Sequence, residues 1–478
     1  MNTAPETFRH TKIIATLGPA TDSEEMLEKV ILGGVDLIRF NMAHATPEWC
    51  HERITRIRKI SEKVGRHVAV MMDVKGPEIR TGNVEAPVDL IPGETFEFYI
   101  EGATPPEDGR GVDVNYPDLP RDVEIGEPVL VDSGLIRMKV ISKTDERIVC
   151  EVVVGGEMGS KRHINLPGVK INLPALTEKD EVDLKAGAES EIDFVALSFV
   201  REASDIVELR KYLKSVGSEA RIIAKIEDQA GVRNMEAIIC ESDGIMVARG
   251  DLGIEIDYHK LPIVQREIVN ACRVEGKPVI IATHLLESMI SSPVPTRAEI
   301  SDVSNAIRER ADAVMLSGET TTGDYPMEAI TVLKNIIKTM EPTVPYSLNQ
   351  EIKLHEPKSK MLRSAAVLAQ ELGENSGIVV FTRSGFLAYV LGAMRAKGVP
   401  IFAFTDKPIQ FRQLLFPWGV EPFFMEFDDE VPHKTIKAAL AILKEKGWSK
   451  PSATLVVVTN VLAGEKGIVD SLQLRTIE

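Results

Sequence analysis

The sequence predicts an α/β protein: a (β/α)₈ barrel of the TIM type, a small β-barrel inserted in it as a lid, and a C-terminal α/β domain. Three observations carry that expectation. Eight short Val- and Ile-rich runs alternate with helical patterns, the interval between residues 74 and 194 switches to strand-like alternation, and a second series of helices and strands begins after about residue 345. The 478 residues are also too many for one core, since about 150 per domain gives roughly three domains.

The eight runs are KIIATLG (12–18), DLIRFNM (36–42), VAVMMDV (68–74), FVALSFV (194–200), RIIAKIE (221–227), GIMVARG (244–250), PVIIATH (278–284) and AVMLSGE (313–319). Each has the length and near-continuous apolarity of a strand buried on both faces, as parallel sheets require. The helices between them carry their own signals. In DSEEMLEKVILGG, Asp22 and Ser23 supply a cap, Met26, Leu27, Val30 and Ile31 share a face, and Gly33 and Gly34 end it. Eight strands with interleaved helices is the count of a closed barrel; a doubly wound open sheet is the alternative on spacing alone.

After the third run, GETFEFYI, EPVLVDSGLIRMKVI and RIVCEVVVGG alternate apolar and polar residues between Gly and Pro turns. An all-β unit inserted there hangs over the C-terminal ends of the barrel strands, the place for a lid. Beyond EPTVPYS, the helices MLRSAAVLAQELG, GFLAYVLGAMRAKG and HKTIKAALAILKEKG interleave with GIVVFT, PIFAFT, ATLVVVT and SLQLRTIE, which reads as a separate α/β unit. The expected boundaries are 1–75 and 163–344 for the barrel, 76–162 for the lid and 345–478 for the C-terminal domain.

Composition narrows the function. The chain is 44% hydrophobic and 27% charged, ordinary for a globular protein. Lys plus Arg number 56 against 72 for Asp plus Glu, a net charge of −16. With no basic block to offset it, nucleic-acid and anionic-membrane partners are not expected. Four scattered cysteines argue against a disulfide framework or structural zinc and for the reducing cytoplasm. The N-terminus MNTAPETFRHTK has no apolar leader, and no run reaches the roughly 20 apolar residues of a membrane span.

Polar residues gather at the C-terminal ends of the runs, the face on which barrel enzymes build their sites. Arg39 and Asn41 end the second, Asp73 with Lys75 and Arg80 the third, Lys225 and Glu227 the fifth, Arg249 and Asp251 the sixth, Thr283 the seventh, and Ser317 and Glu319 the eighth. Any one alone reads as well as a buried ion pair capping the barrel; all of them at one end point to a site. Glu227 and Asp251 converge from adjacent strands, and hard oxygen ligands without His or Cys select Mg²⁺ or Mn²⁺. Lys225 shares a face with Glu227, and with Arg39 and the metal it suits a phosphoryl group in transfer. A salt bridge from Lys225 to either carboxylate is the plainer alternative. Gly250 to Gly253 permits close backbone approach or simply starts a helix. Thr283 and Ser317 alone read as local hydrogen-bonders.

TKIIATLGPAT, MMDVKGPEIRTG, IIAKIEDQAGV, MVARGDLGIEI, IATHLLESMISSPVPTRAE and ADAVMLSGET, in this order, resemble the signatures of the pyruvate kinases, of the bacterial type, along nearly the whole chain. The resemblance implies a barrel, an inserted β-barrel lid and a C-terminal regulatory domain. It implies phosphoryl transfer from phosphoenolpyruvate to ADP, giving ATP and pyruvate in glycolysis, by a cytoplasmic homotetramer. Glu227 and Asp251 match the Mg²⁺ ligands, Lys225 the lysine that stabilises the phosphoryl group in flight, and Arg39 the arginine on the substrate phosphate. Gly250, Asp251 and Thr283 match positions around the enolpyruvate part, and Thr283 and Ser317 a relay that protonates the enolate through water. Asn41, Met42, Ala43, His44, Arg80 and Arg162 match nucleotide contacts.

The sequence departs from the family pattern in places. The usual Asn-Phe-Ser-His-Gly is Asn41-Met42-Ala43-His44-Ala45, which removes a hydroxyl ligand of the activating K⁺. Val74 replaces a threonine and keeps only its carbonyl, while Glu78 is the residue type that accompanies K⁺ dependence. The expectation is a K⁺ site on Asn41, Asp73 and Val74 that binds less tightly or less selectively. Arg162 stands for a lysine and His284 for a glutamine. In FTRSGFLAYVLG, Thr382, Arg383, Ser384 and Gly385 read by themselves as a helix capped by Ser384. The resemblance implies a phosphate loop there for a phosphorylated sugar or nucleotide activator, closed by a loop near 464–467. Two other functions stay open: a Mg²⁺-dependent carbon–carbon lyase on a phosphoenolpyruvate-like substrate, which needs no ADP, and an inactive relative kept for binding, which should have lost Lys225 or a metal carboxylate.

Overall fold

A computed structural model describes residues 8–345, 348–354, 357–373, 375–428, 431–462 and 468–477. The expected effector-closing loop near 464–467 lies outside them. All eight apolar runs are strands: Lys12–Thr16, Leu37–Asn41, Ala69–Val74, Phe194–Leu197, Arg221–Ile226, Gly244–Ala248, Val279–Ala282 and Ala313–Leu316. They close into a parallel barrel in which the first strand pairs with both the second and the eighth. That closure excludes the open sheet.

Successive side chains of a strand face opposite ways, and the core divides accordingly. Ile14, Leu37, Met71, Phe194, Ile223, Met246, Ile280 and Met315 belong to one cluster, which fills the barrel. Ile13, Ile38, Val70, Val195, Ile222, Ile245, Ile281 and Val314 belong to another, which packs on helix residues such as Leu27, Ile54 and Leu333. Arg39 and Asn41 continue the inward parity of the second strand, Asp73 of the third, Ser198 of the fourth, Lys225 and Glu227 of the fifth. The helices take their bounds from local chemistry. Glu24–Gly33 begins where Ser23 Oγ accepts the Met26 N–H and ends at Gly34, with φ 107°, a conformation open to glycine.

Between the third and fourth barrel strands the chain forms a six-stranded mixed sheet and a two-stranded one around Phe96, Phe98, Val112, Met138 and Val152. This is the expected lid. The C-terminal sheet has the order Val420–Phe424, Ile401–Thr405, Ser376–Phe381, Thr454–Leu462, Ile468–Thr476, with only the last pair antiparallel. The strand Val420–Phe424 escapes the sequence reading because Pro422 argues against it, yet it lies at the sheet edge, where proline costs no ladder bond. The C-terminal domain stoppers the barrel: Leu414 and Phe416 join the inward cluster, with the Phe416 and Phe194 rings 5.4 Å apart. Arg395, fully buried, meets Asp312 with two bonds of 2.9 and 2.7 Å. Among the described residues no helix is long and apolar enough to cross a membrane.

Candidate active site

The inward polar residues meet in a cleft of about 390 Å³ at the C-terminal ends of the strands. Arg39, Asn41, Ala43, His44, Asp73, Val74, Arg80, Lys225, Glu227 and Asp251 all line it. Asp73 is its hub. One carboxylate oxygen accepts from Arg39 Nε at 2.6 Å and the other from Lys225 Nζ at 3.1 Å. Lys225 also lies 3.0 Å from Glu227 Oε1 and donates to Ser198 Oγ at 2.7 Å. Glu227 Oε2 accepts the Phe199 N–H at 2.7 Å, with Phe199 at φ 53°.

Burial and charge set the protonation of this group. Burial works against the Lys225 ammonium, but Asp73 and Glu227 outweigh it and hold its pKa above the ordinary range. Asp73 is buried too, yet Arg39 and Lys225 keep its carboxyl below the usual value. Glu227 goes the other way: burial, with Asp251 and Asp73 nearby, pushes it up despite Lys225. Around Asp73 the cleft thus holds two fixed cations, Arg39 and Lys225, with the carboxylates of Glu227 and Asp251 on the same wall.

Gly250, Thr283 and Ser317 stand at neighbouring strand ends rather than on the cleft wall. The Gly250 N–H donates to Thr283 Oγ1 at 2.8 Å. Thr283 and His284 both have positive φ, 64° and 53°, a strain that persists only where surroundings enforce it. Ser317 Oγ is buried with no partner among the described residues. Met42 is fully buried, its N–H donating to Asp73 O and its carbonyl accepting from Lys179. Arg162 pairs with Asp132 at 3.2 Å inside the lid. Two strand-end residues are structural: Arg249 holds Asp302 at 2.7 Å and the carbonyl of Thr283, and Glu319 accepts the N–H groups of Leu286 and Ser317. Sequence reasoning missed Ser198 and Thr16, whose hydroxyls meet Lys225 and Arg39. Both are hydroxyls at the end of an apolar run, a readable signal; the Phe199 backbone has none.

In the C-terminal domain, Gly385 rather than Ser384 begins the helix Phe386–Met394. The Gly385 N–H donates to Thr382 Oγ1 at 2.9 Å, Arg383 pairs with Asp406 at 2.7 Å, and Arg221 donates to the Ser384 carbonyl at 2.6 Å. Gly385 has φ 80°, and a Cβ there would come within 2.5 Å of Gln410 Nε2, a buried donor with no partner among the described residues.

The family model described as pyruvate kinase, barrel domain, matches residues 8–330, and that described as pyruvate kinase, alpha/beta domain, matches residues 359–474. The chain is 43% identical over 463 residues to plastidial pyruvate kinase 2 of Arabidopsis thaliana, covering 95% of this chain and 78% of the relative. It is 38% identical to a pyruvate kinase of Staphylococcus epidermidis, covering 98% and 81%. The crystal structure of a pyruvate kinase from Cryptosporidium parvum superposes with a TM-score of 0.92 at 32% identity, covering 98% of this chain and 96% of that one.

Proposed function

The chain belongs to the pyruvate kinase family and moves the phosphoryl group of phosphoenolpyruvate to ADP, forming ATP and pyruvate; we propose that Arg39, Lys225, Glu227 and Asp251 carry that transfer. The observation that supports this most is the fixed pair of cations on Asp73. Arg39 and Lys225 are held apart from each other by one buried carboxylate, preorganised for a group with several negative oxygens. Arg39 takes the substrate phosphate, and Lys225 follows the phosphoryl group as its bond to the enol oxygen breaks and the bond to the ADP oxygen forms.

Glu227 and Asp251 fit Mg²⁺ or Mn²⁺, because both are hard carboxylates on the cleft wall, where burial, with the charges of Asp251 and Asp73 beside it, already raises Glu227. A divalent ion bound there supplies charge neutralisation to the phosphoryl oxygens. Gly250 and Thr283 flank the enolpyruvate part. The unpartnered Ser317 hydroxyl and Thr283 Oγ1 deliver, through water, the proton that turns the enolate into pyruvate.

Asn41, His44 and Arg80 face the nucleotide, with Arg162 reaching from the lid, Ala43 offering backbone and Met42 holding that turn. A weakened K⁺ site on Asn41, Asp73 and the Val74 carbonyl completes the cleft; that carbonyl already accepts from Ser198 Oγ at 2.9 Å. Thr382 to Gly385, with the free Gln410 donor, suit the phosphate of a sugar-phosphate or nucleotide activator. Exposed Tyr258, Ile263, Val294 and Ile300 suit subunit contacts in a homotetramer, and four free thiols suit the cytoplasm.

Pyruvate release from phosphoenolpyruvate in Mg²⁺ buffer, with and without ADP and with K⁺ or tetramethylammonium, tests the reading. ADP-dependent, K⁺-stimulated turnover is expected. Pyruvate formed at the same rate without ADP, its phosphoryl group passing to water as inorganic phosphate, would remove ADP as the acceptor, and no pyruvate under any condition points to the carbon–carbon lyase or to an inactive relative.

A further inference from the structure

The helix Arg249–Glu255 spans the gap between the cleft and the root of the lid. Asp251 lies in its first turn and lines the cleft; Glu255 ends it, 7% exposed. Its start is tied to the barrel, through Arg249 on Asp302 at 2.7 Å and the Gly250 N–H on Thr283 Oγ1 at 2.8 Å. Its end is tied to the lid. Asn165 Nδ2 donates to Glu255 Oε1 at 2.9 Å, while Gln229 Nε2 from the barrel takes the Glu255 carbonyl at 2.7 Å.

Asn165 belongs to the strand Ile164–Asn165, which pairs with Pro128–Val131 of the lid sheet, so it follows that sheet. A second lid element meets the same helix: a Cβ on Gly134 would lie 3.2 Å from Ile254 Cγ2. The Asn165–Glu255 bond is shielded, with Asn165 only 4% exposed, so water does not replace it without cost. One shielded hydrogen bond from the lid, with Gly134 lying close beside Ile254, therefore bears on one end of a two-turn helix whose other end holds a carboxylate of the cleft. Glu227 is held separately, by Lys225 and the Phe199 N–H.

We propose that Asn165 and Glu255 are positioning residues that couple the seat of the lid on the barrel to the placement of Asp251, and so to divalent-metal affinity. The proposal rests on the assignment of the metal to Glu227 and Asp251. Neither Asn165 nor Glu255 needs to touch the metal; they orient a helix that does, as outer partners of metal ligands do.

The test is Mn²⁺ binding to the full chain, followed by electron paramagnetic resonance without substrate or nucleotide, with thermal unfolding measured alongside. Asn165→Ala and Glu255→Ala are each expected to raise the Mn²⁺ Kd about tenfold, and the double variant to be no worse than the weaker single one. Glu255→Gln keeps a carbonyl for Asn165 Nδ2 and is expected to stay within about twofold of the wild type. An unchanged Kd in Asn165→Ala, or additive losses in the double variant, overturns the coupling even if the unfolding temperature falls. Asp251→Ala separates the two layers: if it binds Mn²⁺ like the wild type, the metal assignment itself is wrong.

Discussion

Glu255 allows a stability change to be sized from its surroundings. Burial first, then Asp228 and Asp251, push its carboxyl from an ordinary 4.5 up to about 7, against the one bond it accepts from Asn165. Between those values the folded protein holds a proton that the unfolded chain has released. The native state then binds more protons than the unfolded one, so this group's contribution falls as pH rises through that window. At about 1.4 kcal/mol per pH unit, the cost at pH 8 is about 3 kcal/mol, and it vanishes below the unfolded value. Glu255→Gln removes the titration and keeps an acceptor for Asn165 Nδ2. It also brings an N–H donor toward Asn165 Oδ1, a buried oxygen without a partner that only the protonated acid could otherwise satisfy. The expected result is a variant more stable than the wild type by about 3 kcal/mol at pH 8, with the gap closing as pH falls toward 4.5. Paired urea unfolding of both proteins at pH 5, 6, 7 and 8 measures it, taking the transition in which the barrel and lid unfold. A gap that is constant with pH, or that widens on acidification, refutes the reasoning.

Three further outcomes follow from the site and the domain contact. Lys225→Met leaves Asp73 on Arg39 but removes the cation proposed to meet the phosphoryl group, and should lower kcat by about 10²- to 10³-fold; steady-state kinetics within tenfold of the wild type would remove Lys225 from the transfer. Ala43→Ser restores the missing hydroxyl and should lower the K⁺ concentration for half-activation. Superimposable K⁺ titrations of the two proteins, or equal wild-type rates in K⁺ and tetramethylammonium, would remove the K⁺ site from this cleft. Arg395→Met leaves Asp312 buried with, among the described residues, the N–H groups of Val279 and Trp418 as its remaining side-chain partners, and should cost about 3–5 kcal/mol in unfolding experiments, most of it recovered when Asp312→Leu is added. A single variant as stable as the wild type would mean that the C-terminal domain is held on by its other contacts, such as Phe416 on Phe194 and Arg412 on Asp193, rather than by this pair.

How much of this was legible in the chain turns on parity. The barrel could be read because eight runs were apolar enough to be strands, and the site because charges stood at their ends. Counting polar ends, however, put Lys225 and Arg249 in the same class, and the structure separates them. Lys225 follows Ile223, an inward residue, and therefore enters the cleft; Arg249 follows Val247, an outward one, and braces the next strand through Asp302 and Thr283 O. Two-residue periodicity along the fifth and sixth strands makes that distinction without coordinates. The same rule finds Ser198, two residues beyond the inward Ala196. It stops where the strand stops. Glu319 shares the parity of Met315, yet the strand ends at Leu316 and a helix begins at Gly318, so its carboxylate turns to backbone N–H groups instead. Contacts such as Asn165 with Glu255, 90 residues apart, carry no periodic signal at all, because they are set by how the lid sheet is seated rather than by either strand. Residue chemistry and parity therefore place Arg39, Asp73, Lys225 and Glu227 in the cleft, whereas Asp251, which shares the outward parity of Val247 and Arg249, reaches it from the helix that follows the strand, so the packing of whole elements decides the rest.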